Sequence, residues 1–174
     1  MSRFIRLHVI AEGQTEERFV HNTLADHLGK FQIATDARRV ATSRDKRHAK
    51  FYRGGLVSYL KARQDIQSWL KEDRQPESRF TTMFDFYALP SDFPEYEGAK
   101  KLADPYRKIE LLEQAFQEDI NDPRFMPYIQ LHEFEALVLA APANLGYEYF
   151  DHDEVISILE KALEQASTAA SKFW

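Results

Sequence analysis

The chain of 174 residues contains no cysteine. This absence excludes a disulfide scaffold, thiolate zinc sites and cysteine nucleophiles, and it makes a reducing interior the default compartment. The longest apolar run, Ala136 to Ala141, is far shorter than the roughly 20 residues of a membrane span. No signal peptide is recognisable, because the apolar stretch that begins at Phe4 meets Glu12-Gly13 instead of a small-residue cleavage site. We therefore expect a cytoplasmic protein.

The charge of the chain is unevenly distributed. The net charge is -5, which argues against a generic binder of polyanions. Residues 38–53 nevertheless carry seven basic side chains against the single acid Asp45, a local charge of +6 that leaves -11 for the remainder. The basic residues are Arg38, Arg39, Arg44, Lys46, Arg47, Lys50 and Arg53. Such a run is either a solvated surface loop or an arm that contacts the phosphates of a nucleic acid.

Hydrophobic periodicity predicts strands that alternate with helices. Apolar, β-branched and aromatic runs predict strands over residues 4–11, 31–42, 80–87 and 125–131. Helical spacing predicts helices over residues 16–28, 56–71, about 109–120, 132–141 and about 153–166, with Thr15 as the N-cap of the first. A long loop is expected over residues 88–105. This alternation indicates an α/β fold, a mostly parallel sheet flanked by helices.

Acidic residues follow three of the predicted strands. Glu12 follows the first strand, Asp85 lies at the end of the central one, and Glu133 and Glu135 follow the last. A lone carboxylate at such a place is often a helix cap or a salt-bridge partner. In a parallel sheet, however, the carboxyl ends of the strands share one edge, where converging carboxylates repel one another unless a cation lies between them. Oxygen ligands favour Mg²⁺, Mn²⁺ or Ca²⁺, and the first two suit phosphoryl chemistry.

Other common sites are absent from the sequence. His132-Glu133 does not begin a His-Glu-x-x-His zinc motif, because position 136 is alanine. There is no Gly-x-Ser-x-Gly elbow of an esterase and no Gly-x-x-x-x-Gly-Lys phosphate loop. If a helix begins before Glu133, Glu133 and Glu135 diverge by roughly 200°, so that only one can point at Asp85.

Four motifs together resemble one family. They are Val9 to Val20 (Val-Ile-Ala-Glu-Gly-Gln-Thr-Glu-Glu-Arg-Phe-Val), Phe84 to Pro90 with Asp92-Phe93-Pro94, Arg124 to Gln130, and His132 to Leu137. The chain resembles a Toprim-like family of unknown function, often encoded beside ABC-type or OLD-like ATPases in bacterial phage-defence operons. The resemblance covers about residues 4–141 and implies a Toprim-like (Rossmann-like) domain over 1–174 with a helical extension from about 142. Relatives typically continue beyond the position that corresponds to Trp174. The resemblance therefore also implies that the chain is shortened at its C-terminal end, or that Phe173 and Trp174 dock onto a core or partner.

The resemblance also implies roles for individual residues. Glu12 would be a metal ligand or general base, and Asp85 the principal ligand of Mg²⁺ or Mn²⁺. Tyr87 stands where Toprim domains carry the second aspartate of Asp-x-Asp, and in a strand it would share a face with Asp85. The further carboxylate would come from Glu16, Glu133 or Glu135, with Glu133 catalytic. Tyr87 and His132 would orient these groups; otherwise His132 is a core or hydrogen-bonding histidine.

These observations lead to a main hypothesis and two alternatives. The main one is a Mg²⁺- or Mn²⁺-dependent nuclease-like protein that cuts DNA or RNA, in phage defence with a partner ATPase. The first alternative is a non-catalytic module that binds or regulates the ATPase or a nucleic acid. The second is phosphoryl transfer or hydrolysis on a nucleotide. The chain is too short for the accessory domains that topoisomerase or primase activity requires.

Overall fold

The computed structural model describes residues 4–40, 56, 58–132, 136, 139–147 and 151–170. The chain divides into two compact units, residues 1–132 and 133–174. The sequence predicted that the motif core ends near residue 141, whereas the boundary between the two units follows residue 132. That the whole chain forms a single Toprim-like domain stays a prediction. No helix among these described residues is long and apolar enough to cross a membrane.

The first unit contains a parallel sheet. Its strands are β1 (Ile5–Ala11), β2 (Ile33–Arg39), β3 (Ser78–Asp85), β4 (Phe125–Met126) and β5 (Ile129–Gln130). Their order is β2-β1-β3-β4, β5 also pairs with β3, and all four pairings are parallel. The predicted α/β class with a mostly parallel sheet is therefore confirmed. Because the strands are parallel, β1, β2 and β3 all end at the same edge of the sheet, which we call the carboxyl edge.

The helices follow the predicted pattern with shifted ends. They are α1 (Gln14–Phe19), α2 (Ala25–Gly29), α3 (Tyr59–Glu72), α4 (Tyr96–Lys100), α5 (Pro105–Ile120) and, in the second unit, α6 (Asp153–Ala170). A π-helical segment, Val20–Leu24, joins α1 to α2, so that helical backbone covers the predicted range 16–28. The short helix α4 interrupts the region predicted as a loop. Of the ten residues in the helix predicted over residues 132–141, five lie outside the described residues.

Helices cover both faces of the sheet because successive side chains of a strand point to opposite sides. On one face Ile10, Phe80 and Phe84 pack in a single core with Ile66 of α3 and Phe116 of α5. Residues on the opposite face of β1 are buried too, on the side where α1 contacts the strand. The site at the carboxyl edge thus stands on a sheet that is packed from both sides.

The segment predicted as one strand over residues 125–131 is divided into β4 and β5. Pro127 between them has no N–H to donate to a ladder. Tyr128 instead exchanges two hydrogen bonds with the buried hydroxyl of Thr82 on β3, donating its N–H at 2.9 Å and accepting at its carbonyl at 2.8 Å. A side chain of β3 therefore replaces one rung of the sheet, and the chain continues as β5 beside Asp85.

A polar cluster anchors the opposite, amino edge. The carboxylate of Asp73 accepts hydrogen bonds from Ser78 Oγ at 2.7 Å, from the backbone N–H of Gln75 at 2.9 Å and from Arg6 at 3.4 Å, and lies 2.8 Å from His8 Nε2. Burial raises the pKa of Asp73, but these hydrogen bonds outweigh it and hold that pKa well below its usual range. The cluster ties the end of α3 to β1 and β3.

Candidate metal and nucleic-acid site

Glu12 and Asp85 meet at the carboxyl edge. The backbone N–H of Glu12 donates to the carbonyl of Met83 at 3.2 Å, which continues the pairing of β1 with β3 by one residue. The backbone N–H of Asp85 donates to Oε2 of Glu12 at 3.0 Å. The expected proximity of the two residues is confirmed, whereas their binding of a metal ion stays a prediction.

The environment of Glu12 disfavours the ionised form of its carboxyl group. Burial raises its pKa, the carboxylates of Asp85 and Glu16 raise it further, and hydrogen bonds from the N–H groups of Asp85 and Leu56 lower it. The net result is a pKa of about 7. Near neutral pH this group can therefore either carry a proton or accept one.

Glu16 belongs to the same neighbourhood, and its position depends on Gly13. Its side chain is buried, and its Oε2 accepts the N–H of Gly13, the N-cap of α1, at 2.8 Å. A Cβ at position 13 would lie 2.9 Å from that oxygen, so glycine is what allows the carboxylate to approach. The prediction of Thr15 as the N-cap is wrong, because α1 begins before it and Glu16 satisfies the backbone there.

Tyr87 does not lie on the strand that carries Asp85. The strand β3 ends at Asp85, and Phe86–Ala88 form a 3₁₀ turn. The turn carries Leu89 into the core, where it is buried. Tyr87 is 69% exposed. The prediction that Tyr87 continues the strand on the face of Asp85 is therefore wrong, and its role in orienting a ligand stays a prediction.

The third acidic strand end is only partly described. Gln130 of β5 is the register partner of Asp85 and is buried, and the chain then reaches His132, which is exposed. Glu133 and Glu135 lie outside the described residues. The predicted contribution of these three residues stays a prediction.

Two further titratable groups lie beside the start of β5: Tyr128, a residue of the Arg124 to Gln130 motif, and Glu113, which was not predicted as a site residue. Burial raises the pKa of the Tyr128 hydroxyl, and the carboxylates of Glu113 and Asp85 raise it further. Burial also raises the pKa of Glu113, whose Oε1 accepts the backbone N–H of Ile129 at 2.8 Å. The sequence does hold a signal for Glu113: it stands four residues after Ile109, on the apolar face of its helix, where a carboxylate is unexpected.

The residues on either side of the middle part of the basic segment, Val40 and Leu56, lie beside Glu12. On one side the N–H of Val40 donates to the carbonyl of Ala11 at 3.1 Å. On the other side the N–H of Leu56, which is buried, bonds to the Glu12 carboxylate. Five of the predicted nucleic-acid-binding residues fall in the sequence between these two residues and lie outside the described residues: Arg44, Lys46, Arg47, Lys50 and Arg53.

The two described arginines of the basic segment each have an acidic partner. Arg38 donates to Oε2 of Glu72 at 2.6 Å, and Arg39 lies 2.8 Å from Oε2 of Glu17. Both guanidinium groups are about half exposed, 52% and 53%. Their charges are therefore largely balanced before any ligand arrives, and their contact with nucleic acid stays a prediction.

Two other motif residues have structural contacts. Arg124 donates to Asp122 and to the carbonyls of Leu70 and Asp73, so its guanidinium joins elements of the fold. The carboxylate of Asp92 accepts the backbone N–H of Tyr59 at 3.0 Å and the hydroxyl of Ser58 at 3.1 Å. Asp92, in a loop distant in sequence, therefore caps the start of α3, which follows the basic segment in the chain.

The donor set at the carboxyl edge suits a hard cation. Among the residues that the structure describes, no three His, Asp or Glu side chains are grouped closely enough to hold a metal ion. Mg²⁺, however, usually keeps several waters and binds through one or two carboxylates plus the phosphates of a substrate. Glu12, Glu16 and Asp85 offer carboxylate oxygens, and their mutual repulsion at Glu12 is what a divalent ion would relieve. The residues present therefore fit such an ion.

Comparison with protein families identifies this chain at the family level. Residues 11–168 match the family described as a domain of unknown function, DUF4276. The chain belongs to the DUF4276 family. The matched range of the DUF4276 domain includes Glu12, Asp85, Val40 and Leu56. No curated protein and no solved structure matches the chain.

Proposed function

We propose that this DUF4276 domain is a Mg²⁺- or Mn²⁺-dependent phosphodiesterase of the nuclease type. The observation that carries the proposal is the junction of Glu12 with the backbone of Asp85, at the edge where Val40 and Leu56, on either side of the middle part of the basic segment, also lie. Carboxylates can bind a divalent metal ion, and basic residues next to them can bind several phosphates. This combination suits metal-dependent cleavage of a substrate that carries several phosphates. The resemblance of the motifs to Toprim-like proteins supports the same assignment.

In this proposal each acidic residue has a separate task. Asp85 and Glu16 hold the ion, with Glu133 or Glu135 as a further ligand or catalytic carboxylate. When bound, the ion would polarise a water and neutralise charge that develops on the phosphate. Glu12, which lies beside Asp85 at the same edge, accepts the proton of the attacking water as the water oxygen bonds to phosphorus and the bond from phosphorus to the leaving oxygen breaks. The N–H groups of Asp85 and Leu56 hold its carboxylate in place.

A nucleic-acid strand is favoured over a small nucleotide as the substrate. The part of the basic segment between Val40 and Leu56 contains five basic residues, and the residues on both sides of it lie at the site. Several cations acting together contact several phosphates, and the resulting affinity falls steeply with salt. By resemblance to the Toprim-like family alone, the proposal extends to a partner ATPase and phage defence. The proposed cytoplasmic location rests on the absence of cysteine from the sequence.

The decisive experiment measures cleavage by the purified protein. Labelled single-stranded and duplex DNA and RNA are incubated with millimolar Mn²⁺ or Mg²⁺, and with EDTA. Cleavage should require the metal and should fall at least 100-fold in Glu12→Gln and in Asp85→Asn, while Glu118→Gln on the exposed side of α5 keeps the wild-type rate. Full activity in both site variants would show that the assigned site is wrong.

A second candidate function is a non-catalytic module. The observation that favours it is that Tyr87 lies in an exposed turn after β3, because the resemblance to Toprim-like proteins implies a second aspartate on the strand at this position. Such a module would bind nucleic acid or the ATPase without cutting. Calorimetry distinguishes the two: absence of Mg²⁺ and Mn²⁺ binding at millimolar concentration, with tight binding of the partner, supports the module, whereas metal binding that is lost in Asp85→Asn supports the enzyme.

A further inference from the structure

The guanidinium group of Arg38 rests on the indole ring of Trp69. Its Cζ lies 4.3 Å from the ring centroid, and its Nη1 donates to Glu72 at 2.6 Å. The indole beneath is only 3% exposed and is fixed by the His8 ring, whose centroid lies 4.7 Å away. The guanidinium thus contacts the ring on one side and Glu72 at its Nη1, and the side chain is 52% exposed.

A small cavity of about 170 Å³ adjoins this arginine. It lies between the edge strand β2 and α3, and its charged lining residues are Arg38, Arg39, Asp65 and Glu72. Two cations and two anions balance, so the cavity has little attraction for a phosphate. Its volume is also below the roughly 300–1,000 Å³ of pockets that enclose a whole small molecule. The cavity therefore suits one neutral, planar group of a larger ligand.

We propose that Arg38 and the adjoining cavity form a stacking subsite for one unpaired base of a single-stranded nucleic acid. This inference rests on the proposed function, which it deepens by naming the substrate class. Unpaired bases stack on arginine planes as well as on aromatic rings, and a base inside a duplex cannot do so. Arg38 then contributes a flat surface to the base rather than a charge to a phosphate.

The subsite lies close to the carboxyl edge. Arg38 is the register partner of Ile10, which also lines the cavity. Since a chain spans at most about 3.6 Å per residue, the Cα atoms of Ile10 and Glu12 are no more than roughly 7 Å apart. A strand with one base on Arg38 can therefore place a neighbouring phosphodiester beside Glu12.

The test separates the base from the phosphate. Fluorescence anisotropy in EDTA compares a short oligothymidylate with a strand of the same length that contains abasic sites, for the wild type, Arg38→Lys and Arg74→Lys. Lysine keeps the charge and loses the plane, and Arg74 is an exposed arginine outside the cavity, whose Nε donates to the carbonyl of Lys71 at 3.3 Å. The wild type and Arg74→Lys should bind the base-bearing strand about tenfold more tightly than the abasic strand. Arg38→Lys should bind the two strands equally.

Each other outcome contradicts the subsite in a recognisable way. A wild type without preference for bases, or an Arg38→Lys variant that keeps the preference, overturns the subsite. If the strands also bind and are cut in Mn²⁺, the proposed function survives that result. If no strand of either kind binds, the subsite and the proposed nuclease function fail together. Circular dichroism of both variants checks that the sheet is intact.

Discussion

The backbone N–H of Asp85 donates a 3.0 Å hydrogen bond to the carboxylate of Glu12, 73 residues earlier in the chain. One side chain thus joins the ends of β1 and β3 at the carboxyl edge. The same carboxylate is partly buried beside Asp85 and Glu16, which raises its pKa to about 7. The contact that organises the edge therefore carries a charge that opposes folding at neutral pH.

We expect Glu12→Gln to stabilise the protein at high pH while it removes cleavage activity. A carboxyl group whose pKa rises on folding, here from 4.5 to about 7, destabilises the fold increasingly as the pH rises between these values. Glutamine keeps an acceptor for the N–H of Asp85 without the charge. The variant should exceed the wild type by about 1–2 kcal/mol at pH 8, allowing for the partial exposure of the group.

Urea unfolding in EDTA, at pH 8 and near pH 4.5, measures this difference. The gain should shrink to nearly zero at the lower pH, where the wild-type carboxyl is protonated in the folded chain. Glu118→Gln, on the exposed side of α5, should change the unfolding free energy by less than about 0.5 kcal/mol at either pH. A Glu12→Gln variant that is less stable than the wild type at pH 8 would show that the carboxylate is compensated in the native state.

Divalent cations should raise the melting temperature of the wild type through the same carboxylates. A ligand that binds only the folded state at about 100 times its dissociation constant adds about 2.7 kcal/mol. Differential scanning calorimetry with and without millimolar Mn²⁺ should show an increase for the wild type and little or none for Asp85→Asn. An equal increase in Asp85→Asn would place the ion at another site.

Gly13→Ala should weaken metal binding without unfolding α1. The backbone at position 13 is extended (φ -136°), so alanine fits the conformation, but its Cβ would meet Oε2 of Glu16 at 2.9 Å. The carboxylate must then move, and we expect about a tenfold loss of Mn²⁺ affinity, or about 1.4 kcal/mol, by titration calorimetry.

Gly29→Ala is the matched control for this substitution. A Cβ there would meet nothing within 4 Å, and alanine favours a helix over glycine by up to about 1 kcal/mol. It should leave Mn²⁺ affinity unchanged and the fold equally or more stable. Wild-type affinity in Gly13→Ala would remove Glu16 from the metal site.

Asp73→Asn should destabilise the protein without affecting cleavage. The pKa of Asp73 is held well below its usual 3.8 by hydrogen bonds that outweigh the effect of burial. Its contribution is therefore complete above that value and is lost as the pH falls below it. At pH 7 the substitution should cost about 2–3 kcal/mol, because the hydroxyl of Ser78 and the N–H of Gln75 lose a charged acceptor.

Urea unfolding from pH 7 down to pH 2 tests this prediction. The gap between the wild type and Asp73→Asn should narrow below about pH 4, whereas Asp26→Asn, at an exposed position of α2, should follow the wild type throughout. Because Asp73 lies at the amino edge, cleavage per folded molecule should not change. A gap that is constant with pH would mean that the carboxylate is not what stabilises the cluster.

The sequence alone determined the class of fold and the edge at which chemistry would gather. The run from Phe4 to Ala11 and the β-branched run before Asp85 have the composition of buried strands, and the spacing of Leu112 and Phe116 is helical, because local patterns reflect which face of an element must be buried. Parallel strands then place the residues after them at one edge. The meeting of Glu12 and Asp85 followed from these two rules.

The tertiary structure decided the features that depend on contacts between distant residues. Burial of Leu89 ends β3 at Asp85 and removes Tyr87 from the strand, and the exchange between Thr82 and Tyr128 divides the last predicted strand. The contact between the guanidinium group of Arg38 and the ring of Trp69 depends on the packing of β2 against α3. A pattern of residue types indicates which side of an element is buried. The contacts of each side chain depend, however, on residues that are distant in the sequence and become neighbours only in the folded chain.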